Sequence, residues 1–255
     1  MTEQKETDAN TALLIYGIVP AGTEPKVEGI GETPGPVRIV SHGDIAALVS
    51  EIPVDQPLDR AEDLQAFARV VDGLVTETSV IPLRFGAALE NPQAVEDGLL
   101  APNEGRFRAA LEELKGLAEF LVKGTYVEET VLREVLEENS DAAALRETIR
   151  SSPPELTRDS QIALGEIINA EIEAKREADG QLVADALGQV TRDLTVRPPT
   201  QELEVVDIAV LVALEKQEEL LKAVNVLAEH WQGRVEMRVV GPLAAWDFVA
   251  FEGVE

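Results

Sequence analysis

A chain of 255 residues with 48 acidic and 22 basic side chains carries a formal net charge of −26. A field of that sign repels DNA, RNA and anionic membrane surfaces, and the lack of cysteine excludes disulfides, thiolate catalysis and cysteine-ligated metals. Hydrophobic residues at 45% supply a core, aromatics at 4% leave it to aliphatics and alanine, and no run approaches the ~18 uncharged apolar residues of a bilayer span.

The opening MTEQKETDAN is polar and lacks the basic and apolar regions of a signal peptide. It reads as a disordered arm over residues 1–11 of a cytoplasmic protein. "TALLIYGIV" (Thr11–Val19) is a short apolar run with β-branched and aromatic residues, the pattern of a buried central strand. The glycine- and proline-rich stretch from Ala21 to Pro36 is a loop. Strands at Val37–Val40 and Ile45–Ile52 follow, joined by "SHGD" as a hairpin. From Leu58 to Thr78 the period changes: Leu64, Phe67, Val70, Val71, Leu74 and Val75 form a helical stripe, with Asp59 as its cap. "SVIPLRF" is a short strand closed by Gly86, and short helices are expected over Pro92–Leu100 and Gly105–Leu117.

"AEFLVKGTYV" (Ala118–Val127) is again a strand, and an acidic helical insertion over 128–156 ends at Pro153-Pro154, which cannot continue a helix. The remainder predicts a long helix from about Thr157 to Leu194, strands over 193–198 and 203–214, a helix over 216–230 and a strand over 234–240. A turn at Gly241-Pro242 and a strand over 246–251 close the chain. This β-α-β-β-α-β order is that of a ferredoxin-like domain. The expected organisation is therefore α+β in two domains: an unusual α+β N-terminal domain over 12–117 and a modified ferredoxin-like domain with helical insertion over 118–255.

Motifs for chemistry are missing. "GIGETPG" opens no helix and has no following Lys-Ser/Thr, so it is a turn-rich loop and not a nucleotide motif. His42 and His230 have no metal-ligand spacing. Paired carboxylates such as Glu112-Glu113 and Glu218-Glu219 are what so acidic a chain places on solvated helix faces. No nucleophile elbow occurs. Arg106, Arg108 and Lys115 are the nearest approach to a basic cluster, but Glu104, Glu112 and Glu113 surround them. No catalytic, cofactor-binding or metal-ligating residue is expected, and the chain reads as other than an enzyme.

The unusual segment is "SVIPLRFGAAL" (Ser79–Leu89), with Arg84 among apolar residues. Strand alternation puts Ile81, Leu83 and Phe85 on one face and Pro82 and Arg84 on the other. Pro82 lacks an N–H and belongs on an edge strand or at a bulge. Arg84 then points toward a carboxylate within the chain or toward a partner, and Pro82, Leu83, Arg84 and Phe85 form a candidate partner-binding surface.

"LLIYGIVP", "VIPLRFGAAL", "ALEELKGLAEFLVKGTYVEE" and the closing "RVEMRVVGPLAAWDFVAF" occur in this order in the GvpF/GvpL family of gas vesicle proteins, which the chain resembles from about Leu13 to Phe251. The middle run, V-[IL]-P-[LM]-R-F-G in the family, is the most specific part. Ala244-Ala245 and "EFLVKGTY" depart from the usual wording and bear on local surface. The resemblance implies the two-domain α+β fold given above and a place in gas vesicle assembly. It implies contacts with the hydrophobic main shell protein and with other accessory proteins, keeping the shell protein soluble or delivering it to the growing vesicle. The alternative from a different class is a small-molecule-sensing regulatory protein built on the ferredoxin-like half.

Overall fold

The computed structural model describes residues 11–31, 34–54, 58 and 60–249. The expected arm over residues 1–11 lies outside them apart from Thr11, as do the expected helix cap Asp59 and the end of the expected strand over 246–251. The chain divides into two compact units, one of residues 1–119 with 241–255 and one of residues 120–240. Both are mixed α+β with an antiparallel sheet.

The first unit is organised by β1 (Thr11–Pro20). Its Leu14, Ile15, Tyr16, Ile18 and Val19 are fully buried, as the unbroken apolar run demands of a strand covered on both faces. β2 (Arg38–His42) and β3 (Ile45–Pro53) form the expected hairpin, with Gly43 at φ +56 in its turn. β3 then pairs with β1 across a register shift between Ile15 and Gly17. On the other side of β1 lie two short pieces, β4 (Ile81–Pro82) and β5 (Ala88–Leu89), giving the order β2-β3-β1-β4 with β5 also on β1. α1 (Ala61–Asp72) is shorter than its apolar stripe predicts, and turns carry the chain from Gly73 to Ser79. Leu64, expected in that stripe, is exposed, and Asp63 is buried in its place. Asp63 is held there by Arg60, whose backbone N and guanidinium both donate to the carboxylate at the head of the helix. That charge-assisted cap fixes the rotation of the first turn.

The two short helices expected next are one stretch. α2 (Pro92–Ala94), capped by the Asn91 side chain, runs through a π-helical segment (Val95–Leu100) into α3 (Ala101–Glu113). The π segment puts Val95, Leu99 and Leu100 into the core. His42, in the hairpin, pairs through Nδ1 with Glu96 Oε1 of that segment at 3.1 Å.

In the second unit β6 (Leu117–Tyr126) leads to α4 (Glu128–Glu138), α5 (Ser140–Ser151), a 3₁₀ turn (Pro154–Leu156) and the 30-residue α6 (Arg158–Leu187). β7 (Asp193–Val196), β8 (Glu204–Ala213), α7 (Gln217–His230) and β9 (Val235–Leu243) complete it, in sheet order β7-β8-β6-β9. α6 stops short of the expected Leu194, releasing the chain at Gly188. Gly241-Pro242, expected as a turn, lies inside β9, and the segment expected as a strand from Trp246 is a turn through Phe248.

Polar pairs join the helices of this unit. Arg234 reaches Asp179 at 2.7 Å and Glu134 at 2.9 Å, while Tyr126 donates to the same Asp179 at 2.6 Å. Burial opposes the Arg234 cation, yet its pairing with Asp179 and Glu134 holds it above its ordinary pKa. Burial and the donated bond to Asp179 push the Tyr126 phenol up. The elements tied are β6, α4, α6 and the turn before β9. Removing one member strands the others with little water to replace it. Arg234→Ala is therefore expected to cost about 2–4 kcal/mol, near the lower part of the range for broken buried pairs, read as a lowered urea midpoint at unchanged slope.

Gly17 carries a second constraint. A Cβ built there would sit 2.5 Å from the backbone oxygen of Ile81, so only glycine lets β4 approach β1 at this point. Gly17→Ala is expected to destabilise by about 1–3 kcal/mol through overpacking against backbone, again measured by urea unfolding.

Candidate functional site

The segment Ser79–Leu89 is an interrupted edge. Ile81 and Pro82 pair with Ile18 and Gly17, Leu89 and Ala88 with Leu13 and Leu14, so both pieces run along one side of β1. Between them Leu83 N donates to Tyr16 O at 3.0 Å and Ile15 N to Ala87 O at 2.8 Å, while residues 84–87 loop outward as a turn with Gly86 at φ +93. A left-handed residue there requires glycine. Pro82, without an N–H, occupies an edge position where no ladder bond is lost.

This geometry redistributes the four candidate residues. Pro82 and Leu83 are both buried, so the simple alternation expected of a strand ends at Pro82. The physical reason is that β4 has only two paired residues, after which the chain leaves the strand. Phe85 is half-buried and lays its ring edge-on against Phe67, with centroids 5.2 Å apart. Arg84 is exposed at the tip of the turn, and among the described residues no carboxylate pairs with it.

Phe67 is the hub of this region. Fully buried on α1, it stacks on Tyr16 at 5.0 Å and contacts Phe85 at 5.2 Å and Trp246 at 6.3 Å. Tyr16 is held by its hydroxyl, which shares a 2.8 Å hydrogen bond with Ser50 and accepts one from Ile30 N at 3.0 Å. Burial raises its pKa in spite of both bonds. Trp246 is fixed by Asp72, the last residue of α1: Oδ1 accepts from Trp246 Nε1 and from Ala244 N, each at 2.9 Å. Asp247 N donates to buried Glu119 at 2.9 Å. The edge turn and the closing segment thus meet over one aromatic ring, with half-buried Phe85 and Trp246 beside exposed Arg84.

Asp72 and Glu119 went unnoticed in the sequence. Asp72 follows an apolar stripe like any helix-terminal acid, and nothing local marks its use. Trp246, one of two tryptophans, did carry a signal, since a buried indole seeks an acceptor. Among the described residues no group of three or more His, Asp or Glu is placed to bind a metal ion. No helix among the described residues is long and apolar enough to cross a membrane.

What fold and site define is an α+β protein of two antiparallel sheets whose most elaborate constellation is aromatic packing with hydrogen-bonded anchors. Comparison with known proteins gives this class its place. The description "Gas vesicle synthesis protein GvpL/GvpF" matches residues 12–250. Gas vesicle protein F of Streptomyces sp. (strain CB03234) is 32% identical over 92% of this chain and 98% of its own. That of Dolichospermum flosaquae is 21% identical over 94% and 98%. Crystal structures of GvpF from Anabaena sp. PCC7120 and from Microcystis aeruginosa superpose with TM-scores of 0.78 and 0.73. Their identities are 21% and 20%, covering 95% and 93% of this chain and 100% and 98% of theirs. The chain belongs to the GvpL/GvpF family of gas vesicle proteins, and its role lies in gas vesicle formation.

The Asp72 anchor has a pH signature. Burial raises its carboxyl above the ordinary value of 3.8, outweighing the lowering by its two hydrogen bonds. A raised carboxyl contributes its stability below the ordinary value and loses it as pH rises through the folded one. Asp72→Asn keeps an acceptor without a buried charge, so its stability is expected to gain on wild type as pH rises from roughly 4 to 7. Asp72→Ala leaves two buried N–H groups unpaired and is expected to cost about 1–3 kcal/mol at any pH in that range. Urea titrations at three pH values, followed by tryptophan emission, measure both.

Proposed function

We propose that this chain is a gas vesicle assembly factor that binds the hydrophobic main shell protein, keeping it soluble or delivering it to the growing vesicle, together with other accessory proteins. The observation that carries this reading is family membership over nearly the whole chain. The physical argument supports it. A subunit destined for a gas-facing wall exposes a large apolar surface before assembly and aggregates. A companion with a net charge of −26 keeps a complex dispersed by mutual repulsion.

The docking surface in this reading is the edge turn of the first unit. Arg84 and Phe85 meet the partner, while Pro82 and Leu83, buried beneath, set the turn's position. The exposed guanidinium offers a planar fork to a carboxylate, and the half-buried aromatics beside it offer the apolar contact that anchors interfaces. We read the second unit as a modified ferredoxin-like domain: its β-α-β-β-α-β order and sheet order β7-β8-β6-β9 support this, with α4 and α5 as the insertion. The setting of this work is the cytoplasm and the vesicle formed there.

Co-expression with the shell protein tests the proposal. Wild type is expected to raise the soluble fraction of shell protein and to co-elute with it. Arg84→Glu, at an exposed position without an ion pair among the described residues, is expected to leave the melting temperature unchanged and to weaken shell-protein capture about tenfold or more. Undiminished capture by Arg84→Glu would remove the site assignment, and a shell protein equally soluble without this chain would remove the function.

A further inference from the structure

The sheet of the second unit, in order β7-β8-β6-β9, ends on two edges. β7 has four residues, short enough to blunt its own edge. β9 has nine, and its orientation decides what its edge offers. Val127 N of the chain leaving β6 donates to Arg234 O at 2.9 Å. The backbone groups of Arg234, and by ladder alternation those of Glu236 and Arg238, therefore face β6. Those of Val235, Met237 and Val239 face outward. Val235 N is taken by Trp231 O at 3.0 Å, but among the described residues no bond from a turn or loop reaches Met237 or Val239.

The side chains alternate as well. Val235 is buried and Met237 and Val239 are half-buried, while Glu236, Arg238 and Val240 are exposed. Met237 points into the sheet's packed face: a Cβ built at Gly124 of β6 would sit 2.9 Å from its Sδ. Glu236 and Arg238 have no ion pair among the described residues. Charges on an edge guard it when they repel an incoming strand. Opposite charges two residues apart do the reverse for an antiparallel strand of the same sequence. With Met237 opposite its own counterpart, Glu236 faces Arg238 on both sides of the two-fold axis. These are non-hydrogen-bonded positions, where opposite side chains come closest. Met237 then exchanges N–H···O=C bonds with its counterpart, and Val239 N–H meets Val235 O. Centring on Arg238 would set two arginines against each other, and centring on Val239 would leave Glu236 opposite Pro242.

We propose that the β9 edge is a self-association surface, where a second copy of this chain adds its own β9 antiparallel about Met237 with two Glu236–Arg238 pairs across the junction. The contact is isologous and closes at two chains. It is separate from the edge turn at Arg84 and does not rest on the docking role given to that turn. A charge of −26 on each chain opposes the meeting at low salt. At about 0.15 M salt the Debye length of ~8 Å screens that diffuse repulsion and largely spares contact pairs.

Sedimentation velocity on the full chain at that salt, from about 1 μM to 1 mM, is expected to show single chains giving way to pairs. The Met237 and Val239 amides are expected to gain protection from hydrogen exchange over the same range. Arg238→Glu and Glu236→Arg each place like charges opposite one another in both pairs. Each is expected to keep the wild-type Tm and to weaken association about tenfold or more. The double variant Glu236→Arg with Arg238→Glu restores association, and an equimolar mixture of the two single variants associates where neither does alone. A wild type that stays single at about 1 mM, a dimer unweakened by either charge reversal, or a mixture no better than its parts overturns the proposal. Protection of the two amides by co-expressed shell protein, with the chain itself single, gives the edge to another partner and overturns it too.

Discussion

The first unit depends on what surrounds Phe67. One ring on α1 receives Tyr16 from the central strand, Phe85 from the edge turn and Trp246 from the closing segment. Aromatic contacts of this kind add about 0.5–1.5 kcal/mol each beyond their burial. Other aromatics, Phe107, Phe120, Tyr126 and Trp231, are buried apart from this group. Segments more than 150 residues apart in sequence are held at one point by the contacts on Phe67. Such a closure costs chain entropy before it yields contacts, and the Asp72 bonds supply the directionality that ring packing lacks. The aromatic hub sets where the closing segment lies, and Asp72 sets its rotation.

Two different physical logics hold the two units. In the first, polar groups are few and act as single anchors within aliphatic packing: Asp63 at the head of α1, Asp72 at its end, Tyr16 inside. In the second, charge networks do the joining. Arg234 bridges Asp179 and Glu134, Lys175 reaches Glu134 at 3.5 Å, and Lys123 sits between Glu204 and Asp207. These cations pair with carboxylates that packing has partly dehydrated, where a pair is worth more than at the surface.

The strands and helices with strong periodicity were legible in the sequence: the β1 run, the β2–β3 hairpin, α7, and the β-α-β-β-α-β order. The errors fall where backbone chemistry overrides side-chain period. "SVIPLRF" alternates like a strand, but Pro82 and the left-handed Gly86 cut it to two paired residues and push Arg84 out. The apolar residues after Asp72 look helical, yet they sit in turns, because burial of Leu74 and Val75 needs only that they face the core. "WDFVAF" reads as a strand by composition, although Trp246 is committed to Asp72 and turns the chain. The Asp72–Trp246 bond is a tertiary constraint that no local window contains.

Arg84 gains its meaning from this contrast. Some cations, Arg60, Arg234 and Lys123 among them, pair with carboxylates that the fold places beside them. Arg84 has no carboxylate partner among the described residues. The turn that carries it is held rigidly by bonds on both flanks and by Phe85 on Phe67, so the guanidinium is presented from a fixed base. A guanidinium on a base fixed before binding costs less entropy to engage than one on a loose segment, which supports the docking role proposed for Arg84.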